Sequence, residues 1–142
     1  MPHLTIEYSA NVADHHDIDA LLDVVHQAAL DHGLAPLAGL RTRAVAREDY
    51  RVADGGADLA FIAITARMAP GRDAATKRSF IEYVLDQACR QVEGEAREPA
   101  IAWSIEIQEL DADFRINRNR VKDRLQQRAG NSSPETPTGS PT

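Results

Sequence analysis

The pattern that most constrains the fold is a strand–helix–strand succession that occurs twice along the chain. In the first unit, apolar and polar residues alternate over 4–8, which is typical of a strand. An apolar stripe at helical spacing follows, with Asp17 placed to cap the helix and Gly33 to end it. The stripe consists of Ile18, Leu21, Leu22, Val25, Ala28 and Ala29. Residues 40–47 can then run as a second strand.

The second unit follows a turn at Asp54-Gly55-Gly56. The apolar run 59–64 predicts a strand buried on both faces. A second helix is expected between the cap Asp73 and the terminator Gly94, with Phe80, Ile81, Val84, Leu85, Ala88 and Val92 as its stripe. Alternation over 101–107 predicts a fourth strand.

Strand–helix–strand units favour parallel pairing through right-handed crossovers. We therefore predict an α/β (α+β) fold in which tandem β-α-β units form a four-stranded sheet with two helices on one face. We expect the other face to be apolar enough to need a partner, so the chain should form an oligomer.

The length of 142 residues indicates one domain. Eleven of the fourteen residues from Ala129 to Thr142 are Gly, Pro, Ser or Thr, a composition that cannot bury enough apolar surface to order a segment. We therefore predict a folded domain over 1–128 and a disordered tail over 129–142. Residues 114–128 are basic, with weak helical character.

Composition excludes several classes of function. A net charge of −6 disfavours a nucleic-acid binder. The single cysteine, Cys89, excludes an internal disulfide framework, and no histidines have zinc-like spacing. No apolar run is long enough for a membrane span and no secretory signal is visible, so we expect a cytoplasmic protein without membrane contact.

Three features could carry chemistry. Removal of Met1 would leave Pro2 with a free secondary amine, which can act as a base or a nucleophile. Arg41 and Arg72 each lie where a strand meets a loop, and arginine suits bidentate recognition of carboxylates. Each feature also has an ordinary structural explanation, namely a proline that starts a strand and arginines that are solvated or paired with surface acids.

Taken together, these motifs resemble one known family. They are Met-Pro-His-Leu at the start, Pro-Leu-Ala-Gly-Leu-Arg-Thr-Arg at 36–43, Ala-Asp-Gly at 53–55, Ala-Phe-Ile-Ala-Ile-Thr at 60–65 and Gly-Arg at 71–72. From Pro2 to about Leu125 the chain is similar to the 5-carboxymethyl-2-hydroxymuconate isomerase family of the tautomerase superfamily.

The resemblance implies a cofactor-independent isomerase with the amino-terminal Pro2 as catalytic base and with Arg41 and Arg72 as its functional arginines. It implies a homotrimer without metal or organic cofactor. The implied substrate is a polycarboxylate dienol of homoprotocatechuate degradation, which is converted to the conjugated ketone. Both arginines would bind carboxylates and lower the pKa of the Pro2 amine, and Arg41 could also stabilise oxyanion charge.

Two alternatives stay open. The chain could be a tautomerase of a smaller 2-hydroxydienoate or enol, or a non-catalytic small-molecule-binding protein that retains Met1. The basic run after residue 114 is expected to be a solvated surface, unless one or two of its arginines reach a neighbouring subunit's anionic substrate.

Overall fold

A computed structural model of the protein describes residues 1–94 and 97–131. Its strands are β1 (His3–Ser9), β2 (Arg41–Arg47), β3 (Leu59–Met68) and β4 (Ala100–Glu109). Its α-helices are α1 (Ile18–His32), α2 (Ala74–Glu93) and α3 (Arg120–Asn131). Short 3-10 helices lie at Ala10–Asp14, Leu37–Gly39 and Ala112–Phe114.

The two long helices begin where the sequence predicts. The Asp17 carboxylate accepts the Ala20 N–H at 3.1 Å, and the Asp73 carboxylate accepts the Thr76 N–H at 2.7 Å. Each cap satisfies a backbone donor that the first helical turn leaves unpaired. Gly33 ends α1 with a φ of 87°, in the left-handed region that favours glycine.

The sheet has the strand order β2-β1-β3-β4. Both β-α-β units are parallel, since β1 pairs with β2 and β3 with β4 in that sense, as predicted. The two units join through an antiparallel β1–β3 pair at the centre of the sheet. Helices α1 and α2 pack against each other on one face, which confirms the predicted arrangement.

The core lies between this face of the sheet and the two helices. It takes alternate residues of the central strands and the predicted helix stripes, apart from Leu85. Its fully buried large side chains include Leu4, Ile6, Leu21, Val25, Ile62, Ile64, Met68, Phe80 and Val84. We call this side of the sheet the helix face and the opposite side the open face.

Two expectations about the sheet are wrong. Strand β3 is buried on the helix face only, because the alternation continues through residues 59–68 and leaves Phe61 and Ala63 half-buried on the other side. The open face is also more polar than expected, because the same alternation that places apolar residues under the helices places polar ones opposite. On β1 and β2 the open-face residues are His3, Thr5, Glu7, Arg41, Arg43, Val45 and Arg47.

The carboxyl-terminal boundary also differs from the prediction. Helix α3 reaches Asn131, so residues 129–131 belong to a helix rather than to the predicted tail. The Asn119 side chain accepts the N–H groups of Val121 and Lys122 at 3.0 and 3.3 Å, which starts this helix. The remaining part of the predicted tail, 132–142, lies outside the described residues. Within those residues, no helix has the length and apolar character to cross a membrane.

Candidate active site

The amino terminus and Arg41 lie side by side. Pro2 directly precedes β1 and is buried, and its carbonyl accepts the Arg41 N–H at 3.2 Å. The parallel register continues this contact by pairing His3 with Arg41. Strand pairing therefore places Arg41 beside the start of β1.

Gly39 allows the terminus to come this close. It closes a tight turn in which its N–H donates to the Pro36 carbonyl at 3.0 Å. A Cβ atom at this position would collide with the Met1 nitrogen. Gly39 belongs to the motif at 36–43, and its role there is steric.

A cavity of about 620 Å³ opens beside Met1 on the open face. Its walls come from the ends of the strands and from residues 110–118, and they carry five arginines and one aspartate, Asp111. The arginines are Arg41, Arg43, Arg67, Arg115 and Arg118. A protein with a net charge of −6 thus concentrates positive charge in one concave place.

These arginines are not neutralised by surface acids. Farther along β2, Arg47 does form an exposed ion pair with Glu7 at 3.4 Å. Across residues 1–94 and 97–131, no carboxylate lies within salt-bridge distance of an arginine of the cavity wall. Unpaired guanidinium groups around a cavity make a binding site for a carboxylate or another anion.

The terminal amine of Met1 responds to this environment. Its pKa is lowered by burial first, then by the positive charges of Arg115, Arg41 and Arg72. Both effects disfavour the protonated amine. The amine here belongs to Met1, and removal of Met1 would transfer it to Pro2, one residue further along the chain.

His3 lies in the cavity between two arginines. Its Nε2 is 3.3 Å from Arg41 Nη1, and its Nδ1 is 3.1 Å from Arg43 Nη1. Burial and the charges of Arg43, Arg41 and Arg67 lower the pKa of this imidazole. Because a neutral imidazole accepts at one nitrogen only, one of these contacts is a hydrogen bond and the other is not.

Arg72 is held outside the cavity wall. It follows Gly71, whose φ is 118°, and its guanidinium donates to the carbonyls of Leu34 at 3.2 Å and Ala69 at 3.5 Å. Its charge still acts on the terminal amine. Of the three predicted site residues, the structure thus brings Pro2 and Arg41 into contact, while Arg72 acts over a longer distance.

Sequence reasoning missed most of the cavity wall. The signal for Arg43 was its position two residues after Arg41, on the same face of β2. Arg67 lies opposite His3 in the antiparallel β1–β3 pair, a register that the sequence left undefined. The signal for Arg115 and Arg118 was the basic run that we expected to be a solvated surface.

Two other kinds of reactive group, a metal-ligand cluster and an activated thiol, are not formed by the described residues. Among the described residues, no three His, Cys, Asp or Glu side chains come together as metal ligands. Burial and the nearby Glu93 and Asp86 raise the pKa of Cys89 to about 11, so its thiol stays protonated, in accord with a packing role.

Comparison with known proteins gives a consistent result. The sequence profile of the 5-carboxymethyl-2-hydroxymuconate isomerase family matches residues 2–125. The 5-carboxymethyl-2-hydroxymuconate Delta-isomerase of Escherichia coli is 27% identical over 121 residues, which cover 85% of this chain and 96% of that protein.

Solved structures agree with the sequence match. A crystal structure of a 5-carboxymethyl-2-hydroxymuconate delta-isomerase superposes with a TM-score of 0.79 at 25% identity, covering 89% of this chain and 93% of that one. A fused 4-OT described as a symmetric trimer superposes with a TM-score of 0.59 at 15% identity, covering 82% and 93%. This second likeness concerns the fold alone.

Proposed function

The chain belongs to the 5-carboxymethyl-2-hydroxymuconate isomerase family and is an isomerase, and we propose that it converts a dienol polycarboxylate into the conjugated ketone with the amine of Pro2 as general base. The observation that carries this proposal is the position of the amino terminus. It lies at a cavity with five arginines, in an environment that lowers the pKa of a terminal amine.

The reaction needs one group that accepts a proton and then returns it. The 2-hydroxy proton of the dienol passes to the neutral amine as the carbonyl forms and the double bonds shift. The protonated amine then delivers a proton to a distant carbon, so the product keeps every atom of the substrate. A base of this kind must be neutral at working pH, which the nearby arginine charges favour.

The two predicted arginines take different roles in this proposal. The Arg41 backbone is bonded to the Pro2 carbonyl, its side chain lines the cavity, and its charge acts on the terminal amine, so we assign it the stabilisation of the developing oxyanion. Arg72 lies outside the wall of this cavity and already donates to two backbone carbonyls, so it would add its charge and bind, through its remaining donors, a carboxylate that extends beyond the cavity. Loss of Arg72 should therefore raise KM more than it lowers kcat.

The number of guanidinium groups favours a polycarboxylate over a simple enol. Five arginines against one aspartate exceed what a single carboxylate needs, and Arg41 with Arg43 alone could hold one bidentately. The oligomer is also part of the proposal: we expect a homotrimer, supported by family membership rather than by an apolar open face.

The test combines intact mass with an isomerisation assay. We expect the purified protein to lack Met1 and to convert 5-carboxymethyl-2-hydroxymuconate faster than the analogue without the carboxymethyl group. Pro2→Ala keeps a free but primary amine, so some activity should survive at a much lower kcat.

Each contrary outcome has a distinct meaning. Full retention of Met1 in an active preparation would exclude the Pro2 amine as the base. Complete removal of Met1 without isomerisation of either dienol would favour a binding protein. A preference for the smaller dienol would keep the mechanism and replace the substrate.

A further inference from the structure

Residues 111–119 follow β4 and form one side of the cavity, and both ends of this segment are anchored. At its start, the Leu110 N–H donates to the Met68 carbonyl at 2.8 Å. At its end, the Asn119 side-chain amide donates to the Ala38 carbonyl at 2.7 Å. Ala38 directly precedes Gly39, the residue against which Met1 packs. The segment is therefore held next to the amino terminus.

The backbone conformation directs Arg115 toward the protein. Arg115 is extended, with φ −134° and ψ 128°. In extended chain, successive side chains point in opposite directions. Phe114 and Ile116 also line the cavity but are 87% and 88% exposed, whereas Arg115 between them is half-buried and lines the same cavity.

The guanidinium of Arg115 has unused hydrogen-bonding capacity. Its Nε is buried and has no hydrogen-bond partner within the described part of the chain. The guanidinium of Arg72, by contrast, donates hydrogen bonds to two backbone carbonyls. A buried donor without an acceptor is unfavourable, and a turn of the side chain toward a carboxylate in the cavity would satisfy it with a charge-assisted bond.

Arg115 differs from Arg43 and Arg67 in the group on which its positive charge acts. After burial, Arg115 is the largest cause of the lowered pKa of the terminal amine, ahead of Arg41 and Arg72. Arg43 and Arg67 are exposed and act on His3 instead. The half-buried arginines Arg41, Arg72 and Arg115 thus act on the same amine.

We infer that Arg115 is a third arginine of the active site, which binds one carboxylate of the substrate through its guanidinium and supplies positive charge beside the terminal amine. This inference rests on the proposed function for its reaction. It adds a substrate-binding residue from a segment that was expected to be a solvated surface. It also places that residue in the cavity of its own chain rather than of a neighbouring subunit.

The experiment compares two substitutions at one position. Arg115→Gln removes both the charge and the fork of donors, so KM for 5-carboxymethyl-2-hydroxymuconate should rise at least about tenfold. The acid limb of the kcat/KM profile should also move to higher pH, because a charge that disfavours the protonated amine has gone. Arg115→Lys keeps the charge, so it should restore the pH profile while KM stays raised.

The matched control is Arg120→Gln, which changes an exposed arginine of the same basic run outside the cavity. It should leave KM and the pH profile within about twofold of the wild type. Wild-type values of both quantities for Arg115→Gln would overturn the inference, and so would equal effects of the two glutamine substitutions. If Arg115→Gln does not fold, the raised KM of Arg115→Lys alone decides the binding role.

Failure of the inference can be told apart from failure of the proposed function. Calorimetric titration with tricarballylate, a stable tricarboxylate, measures binding without turnover. If the wild type isomerises no dienol, the proposed function fails. Weaker tricarballylate binding by Arg115→Gln than by Arg120→Gln would then still support Arg115 as a carboxylate ligand, and equal binding would exclude it.

Discussion

The helix face and the open face of the sheet are built from alternate residues of the same four strands. On β1, Leu4 and Ile6 lie on the helix face and are completely buried, while the alternate residues His3 and Thr5 lie on the open face. The helix face gains its stability from the removal of apolar surface from water. The open face instead ends in a cavity whose wall carries five arginines.

The difference between the two faces shows how a small acidic protein can hold a concentrated positive charge. The core fixes the strands, and the strands hold Arg41 and Arg43 at set spacing, with no salt bridge to either arginine among the described residues. Repulsion among these groups is a cost that the core offsets. The comparison therefore predicts that substitutions on the helix face change stability and substitutions in the cavity change activity.

The largest expected effect is at Phe80 in α2. This side chain is 0% exposed, and its ring contacts the His32 ring edge-on, with the ring centroids 5.4 Å apart. Phe80→Ala should lower the free energy of unfolding by about 3–5 kcal/mol, because it leaves a cavity in the core. Denaturant unfolding measures this change. The same substitution at the exposed Phe114 should change stability by less than about 0.5 kcal/mol. Equal losses would show that residue 114 is covered by another chain.

A second comparison uses two arginines of β2 on the same face. Arg41→Ala removes a cavity donor, and kcat/KM should fall about 100-fold or more. Arg47→Ala removes the exposed partner of Glu7 and should leave kcat/KM unchanged. Steady-state kinetics with a check of the unfolding midpoint separates the two effects. A fall in kcat/KM shared by both variants would mean that the total charge of the strand matters rather than the cavity.

The smallest expected effect concerns His3 and pH. Its pKa in the folded protein lies below the ordinary 6.5, so the unfolded chain binds more protons in mildly acid solution. The free energy of unfolding should therefore fall as pH decreases from about 6.5 toward the folded pKa, by less than about 1 kcal/mol. His3→Gln should remove this part of the pH dependence, and added salt should weaken it in the wild type by screening the arginine charges. A pH dependence that is the same in His3→Gln and in the wild type would contradict the assignment.

Much of the fold could be predicted because its signals are local. The caps Asp17 and Asp73 satisfy the first turns of their helices, and Gly33 ends α1 in a conformation that other residues rarely adopt. The parallel pairing within each β-α-β unit follows from the helix that connects its two strands. The antiparallel junction between the units could not be predicted, because a local pattern does not record which strand edges meet.

For the site, the sequence by itself determined the residue types and their order: a proline after Met1, arginines at 41 and 72, and a basic run after Phe114. Only the tertiary structure decided which of these groups share a cavity. Residues 3, 41 and 67 become neighbours through strand pairing, and Arg115 joins them through the bonds that anchor Leu110 and Asn119. The physical reason is that charge acts through space, so the environment of the terminal amine depends on distances that the folded chain alone sets.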